Sequence, residues 1–152
     1  MRKIIILMIL LSLSAVSFSA ELTEKSARQL VESMDQAIKR KDMLAIDKLL
    51  SPNFKFKLVS CLFGVVDKTE TDKEGFLQYT REGLNVAEYY KAKRNSLDIV
   101  IQDGKAICSS ELAESMVQRG AYISTITTER FVIENVGGAL VYTSYEGDLR
   151  KK

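Results

Sequence analysis

Glu129 and Glu146 are the residues of this chain whose type and spacing could do chemistry. Strand counting places them opposite each other on neighbouring strands. Two carboxylates on one face push each other's pKa apart, so that one can act as acid and the other as base. The same count brings Ser110, Thr127 and Ser144 to the polar end of that face, with Phe131 and Tyr142 deeper along it. An apolar floor that grades into a polar mouth is what a ligand pocket needs. The alternative is a solvated sheet rim with both glutamates in water. The chain has no histidine and no Cys-x-x-Cys spacing, so neither a metal site nor a cofactor is expected.

The elements that position these residues are long strands between Leu97 and Arg150. Asp103-Gly104 sits between two β-rich runs, and a type I′ hairpin needs φ > 0 at both central positions. Arg119-Gly120 and Gly137-Gly138 mark two further turns. From the first turn, Ile101 faces Ala106, Ile99 faces Cys108 and Leu97 faces Ser110. The second pairs Cys108 with Phe131, Ser110 with Glu129 and Leu112 with Thr127. The third pairs Ile133 with Tyr142, Phe131 with Ser144 and Glu129 with Glu146. A two-residue change in turn length alters partners but keeps faces. A single β-bulge flips part of the assignment.

Upstream, Ala27, Leu30, Val31, Met34, Ala37 and Ile38 recur at helical spacing between Thr23 and Lys41. A shorter helix opens at Asp42 and stops at Ser51-Pro52-Asn53, because proline cannot continue the hydrogen-bond ladder. Phe54 to Leu58 alternates apolar and basic residues as a half-buried strand does. Ser60 to Val66 reads as a short strand or loop beneath the helices. Thr71-Asp-Lys-Glu74 has the form of a capping box for a third helix. Tyr89-Tyr90 followed by Lys91-Ala-Lys-Arg94 is either a contact for an anionic partner or an exposed strand entry whose lysines blunt an edge.

This order of elements resembles the nuclear transport factor 2-like superfamily, the cone-shaped α+β fold of ketosteroid isomerase and SnoaL-like proteins. Lys41 to Phe54 and the closing hairpin Arg130 to Tyr142 carry the likeness, which covers the mature chain. It implies N-terminal helices packed on a strongly curved antiparallel sheet. It also implies where catalytic groups would stand. Ketosteroid isomerases use a Tyr on the first helix and an Asp at the end of the first strand, places held here by Met34 and Leu58. The Asp-Arg-Asp constellation of limonene epoxide hydrolase activity does not map onto the sequence.

Residues 1–19 read as a signal peptide. Arg2 and Lys3 precede an apolar run from Ile4 to Leu11, then small residues to Ala20. Cleavage after Ser19 or Ala20 leaves a single domain, residues 20–152, in the periplasm or secreted and without a membrane anchor. The 22 Lys and Arg residues, less Arg2 and Lys3, equal the 20 Asp and Glu. A neutral mature chain argues against a nucleic-acid partner. Cys61 and Cys108 are either a disulfide or free thiols. The expected function is binding of a small molecule or a protein without evident catalytic machinery. Alternatives are a small hydrolase or isomerase using Glu129 and Glu146, or an inhibitor or immunity-type interaction protein. Homodimerisation through an apolar outer sheet face is expected.

Overall fold

The computed structural model describes residues 20–152. The expected signal peptide lies outside the described residues. Helix α1, Glu24–Lys39, starts at a reciprocal cap: the Ser26 amide donates to the Thr23 hydroxyl at 3.1 Å and the Thr23 amide donates to the Ser26 hydroxyl at 2.9 Å. Its buried stripe is Ala27, Val31, Met34 and Ala37, the periodicity seen in the sequence. Helix α2 is short, Met43–Lys48, capped by Asp42, and strand β1 begins at Leu50. Pro52 therefore lies inside β1, within a register irregularity between Leu50 and Lys55 that spares it a ladder hydrogen bond.

Strand β1, Leu50–Leu62, runs on past the alternating segment and folds back into β2, Val65–Asp72. The turn is Phe63-Gly64, both at positive φ (52° and 79°). An aromatic residue is a poor advertisement for a φ > 0 position, so the sequence did not signal this hairpin. The expectation that Ser60 to Val66 lies under the helices is corrected, because Phe63, Val65 and Val66 are exposed. Helix α3, Lys73–Val86, is capped by Asp72, which accepts from the Gly75 amide at 3.1 Å, rather than by Thr71.

Strands β3 (Tyr89–Gln102), β4 (Lys105–Gln118), β5 (Ala121–Val136) and β6 (Ala139–Lys151) follow through the three expected turns. At each turn both central residues have positive φ. The six strands form one curved, unclosed sheet in the order β2-β1-β6-β5-β4-β3. It is a mixed sheet, because β1 pairs with β6 in parallel. Helix α1 packs against β3 and β6, and α3 against β1. Between them lies a core containing Val31, Ile46, Phe54, Phe56, Cys108, Phe131 and Ile133. Full burial of side chains of this size contributes about 1.5–3 kcal/mol each, which holds the helices in the hollow of the sheet.

Cys61 and Cys108 are free thiols. The row through Cys61 crosses Arg150 and Ile126 to reach Ala113 on β4. Cys61 is thus separated from the strand of Cys108 by β6 and β5, and from its level by the run from Ala113 back to Cys108. At about 4.8 Å between strands and about 3.3 Å per residue, the pair lies beyond the reach of a disulfide.

Candidate functional site

The β3–β4 and β4–β5 registers follow the hairpin count at every pair expected from it, including Ser110 with Glu129 and Leu112 with Thr127. The last hairpin begins as counted, with Ile133 opposite Tyr142, and then slips. Val132 pairs with Ser144 and Phe131 with Tyr145, which leaves Thr143 as an extra residue. This bulge turns Ser144 and Glu146 out of the hollow. Glu146 pairs with Arg130 and is exposed, and Ser144 shares the outer face with Val132. Both are corrected as pocket residues. The pairing of Glu129 with Glu146 does not exist, and with it goes the two-glutamate acid–base arrangement.

What replaces them was not in the sequence reading. Tyr145 takes the inward position, and its hydroxyl donates to Glu129 Oε1 at 3.0 Å. A second bulge has the same effect on β3. Arg94 pairs with Leu112 while Ser96 pairs with Glu111, so Asn95 is the extra residue. Without it, the inward parity of Leu97 and Ile99 would put Arg94 on the outer face. With it, Arg94 points into the hollow. Nε and Nη2 donate to the two oxygens of Asp35 at 3.1 and 2.7 Å, and Nη1 donates to Glu129 Oε2 and to Ser110 Oγ.

Asp35, Arg94 and Glu129 therefore form a carboxylate–guanidinium–carboxylate cluster drawn from α1, β3 and β5. Glu129 is 5% exposed, so it belongs to the floor and not to a wet mouth. Burial alone would lower the Arg94 pKa. Asp35 and Glu129 outweigh it, and the guanidinium stays charged. It also lies 5.9 Å from the centroid of the Phe131 ring, within cation–π range. Removing Glu129, the buried member, costs about 3–5 kcal/mol, because the Arg94 charge loses its inner partner, whereas the half-buried Asp35 contributes less.

Beside it stands a second polar group. The Tyr90 hydroxyl donates to Glu114 Oε1 at 2.6 Å, and Thr127 Oγ1 lies 3.4 Å from Glu114 Oε2. Burial pushes the Glu114 carboxyl above its ordinary value. The Tyr90 hydrogen bond opposes this, and the charge of Glu129 adds to it. Burial, then the neighbouring carboxylates, also raises Tyr90 and Tyr145, so both phenols remain neutral donors.

Above the cluster opens a cavity of about 330 Å³. Its apolar walls come from Met34 and Ile38 on α1, Phe54 on β1, Phe76 on α3, and Phe131 and Tyr142 on the sheet. Its polar lining is Asp35, Arg94, Glu129, Tyr90 and Tyr145, with Lys39 and Lys91 at the exposed mouth. Of the residues expected from sequence, Glu129, Phe131 and Tyr142 line it. Ser110 reaches it through Arg94, and Thr127 stands behind it against Glu114. Met34, at the place of the isomerase tyrosine, is a wall residue, and its neighbour Asp35 supplies the acid. Among the described residues, no three Cys, Asp or Glu side chains converge to hold a metal ion.

Solved structures with this architecture are numerous. A conserved protein from Planctomyces limnophilus superposes with a TM-score of 0.72 at 16% identity, over 85% of this chain and 97% of its own. A candidate dehydratase of the nuclear transport factor 2-like family from Streptomyces avermitilis gives 0.65 at 9% identity, over 82% and 94%. This is a nuclear transport factor 2-like fold. A ketosteroid isomerase-like protein from Erwinia carotovora atroseptica aligns over 84% of this chain and 98% of its own, at 11% identity and a TM-score of 0.63. No protein-family model and no curated protein sequence matches the chain. The names on these nuclear transport factor 2-like neighbours span unrelated chemistries. At such identities the likeness describes the fold, and function must be argued from the cavity itself.

Proposed function

We propose that this protein binds a small, largely apolar molecule in the hollow of the cone, with a polar group of the ligand set on the Asp35–Arg94–Glu129 cluster. One observation carries the reading: a cavity of about 330 Å³ whose aromatic walls end on that partly buried cluster. Cavities of about 300–1,000 Å³ with apolar walls and a few convergent polar groups are the usual form of small-molecule sites. Native mass spectrometry of protein purified from its own cells tests it. A retained small mass is expected, and it should be lost in Ile38→Trp, which fills the cavity from its α1 wall. A ligand-free wild type that binds nothing from a small-molecule extract would refute the reading.

A second reading is acid–base catalysis, favoured by the order of the cluster. An acid, an arginine and a second acid is the constellation that limonene epoxide hydrolase activity requires, with Glu129 in place of one Asp. Under it, Asp35→Asn would abolish turnover of the bound molecule. We further propose export, with a mature chain starting near Ala20 or Glu21, which N-terminal sequencing would establish. A homodimer through Val100, Ile107, Ala113, Ile126 and Val132 on the outer face is also proposed. A monomeric mass by light scattering would count against it.

A further inference from the structure

We infer that the cavity selects apolar ligands that donate hydrogen bonds or carry positive charge, amines and alcohols before all, and turns away carboxylates and phosphates. The inference rests on the small-molecule reading above. A partly buried arginine at the bottom of an aromatic cavity invites the opposite conclusion, an anion receptor. Its hydrogen-bond inventory excludes that role.

A guanidinium has five N–H donors in a fixed fork. The Nε hydrogen goes to Asp35 Oδ2, one Nη2 hydrogen to Asp35 Oδ1, and Nη1 serves both Glu129 Oε2 and Ser110 Oγ. A single Nη2 hydrogen remains. An incoming carboxylate could not take the fork without expelling Asp35 or Glu129. Displacing Glu129 would leave a buried carboxylate with no counter-charge, and displacing Asp35 would break its two hydrogen bonds with the guanidinium.

The charge balance points the same way. Two carboxylates, Asp35 and Glu129, share one guanidinium, so the floor carries an excess negative charge. Glu114 lies behind Tyr90 on the same side of the sheet. Two of the three phenols that line the cavity have their hydrogens committed to carboxylates, Tyr145 to Glu129 and Tyr90 to Glu114, and each of these two offers a ligand only an acceptor oxygen. The third, Tyr142, brings a hydroxyl that can donate or accept. Asp35 is the most accessible member of the cluster, at 35% side-chain exposure, and is already one of the cavity walls. The floor is thus rich in acceptors and poor in donors.

Lys39 and Lys91 are the opposing charges. Both are exposed at the mouth, where water and salt screen them within about 8–10 Å. The carboxylates at the floor are screened much less. An anion could rest at the rim, but its apolar body would then point away from the aromatic walls. The faces of Phe54, Phe76 and Phe131 suit a cation or a neutral chain equally.

Titration calorimetry with a matched set tests this: 4-phenylbutan-1-amine, 4-phenylbutan-1-ol and 4-phenylbutanoate, at pH 7 and 0.15 M salt. The amine and alcohol should bind at least about tenfold more tightly than the acid, because like charges brought together in a desolvated site repel strongly. Asp35→Asn keeps an acceptor but removes the excess charge, so it should bring the amine down to the level of the alcohol. Saturable binding in which the acid equals or beats the amine would overturn the inference and leave the binding reading standing. An amine preference unchanged by Asp35→Asn would also overturn it. Failure of all three probes to bind would remove the binding reading itself, and this inference with it.

Discussion

Glu114 shows how one buried carboxyl trades stability for position. Burial raises its pKa above the ordinary glutamate value, near 4.5, so the folded state holds the proton more tightly than the unfolded state does. Stability must then fall as pH rises through 4.5 and beyond, since over that range the native chain binds more protons than the unfolded one. Glu114→Gln removes the ionisation and keeps an acceptor for Tyr90. Its new amide group takes the place of Oε2, beside the Thr127 hydroxyl. The variant is expected to be more stable than wild type at pH 7, with the gain vanishing as pH falls below the ordinary glutamate range. Urea melts at both pH values measure it, and an equal gain at pH 3.5 would contradict the assignment. Cys108 follows the same physics. Burial pushes its thiol up to about 11, which keeps it unreactive in the fold.

At the scale of the element, two bulges decide what the cavity contains. Asn95 on β3 brings Arg94 inward, and Thr143 on β6 brings Tyr145 inward while sending Ser144 and Glu146 out. Gly147 completes the second arrangement. It lies opposite Glu129 and beside Leu58, and a Cβ there would meet Leu58 Cδ1 at 2.9 Å and the Tyr145 hydroxyl at 3.0 Å. The strand can carry Tyr145 over Glu129 only because the next inward position has no side chain. Gly147→Ala should cost about 1–3 kcal/mol, typical of overpacking. It should also displace Tyr145 from Glu129 and weaken amine binding in the matched set. Unchanged stability together with unchanged affinity would show that the contact yields freely.

The whole molecule depends on Phe131, where helix α1, the sheet and the ion cluster meet. It is 2% exposed, forms a tilted ring pair with Tyr142 at 5.3 Å between centroids, and lies under the guanidinium of Arg94. Phe131→Ala is expected to cost about 3–5 kcal/mol in chemical denaturation, because the helix and sheet cannot both collapse into the space. The loss should couple to that of Arg94→Met in a double-mutant cycle, since the two side chains share a contact. Additive losses would mean that the cation–π contact contributes nothing.

By itself, the sequence determined the elements and most of their faces. The Ala27 to Ile38 periodicity, the Asp103-Gly104 turn and the alternation around Phe131 are local patterns. Each is repeated often enough that one backbone conformation satisfies it. Phe131 and Tyr142 were therefore legible as inward residues, and Glu129 as their neighbour. Only the tertiary structure decided which charges accompany them. A bulge is a change of conformation at one residue, and neither Asn95 nor Thr143 carries a glycine or a proline to announce it. Arg94 read locally as part of a basic, solvent-facing strand entry, and Asp35 as the polar side of a helix. Each becomes a site residue because the other is there. A buried guanidinium needs carboxylates around it, and those come from a helix and a strand far apart in the chain. No local pattern records a partner that only the packing of α1 into the curved sheet brings within reach.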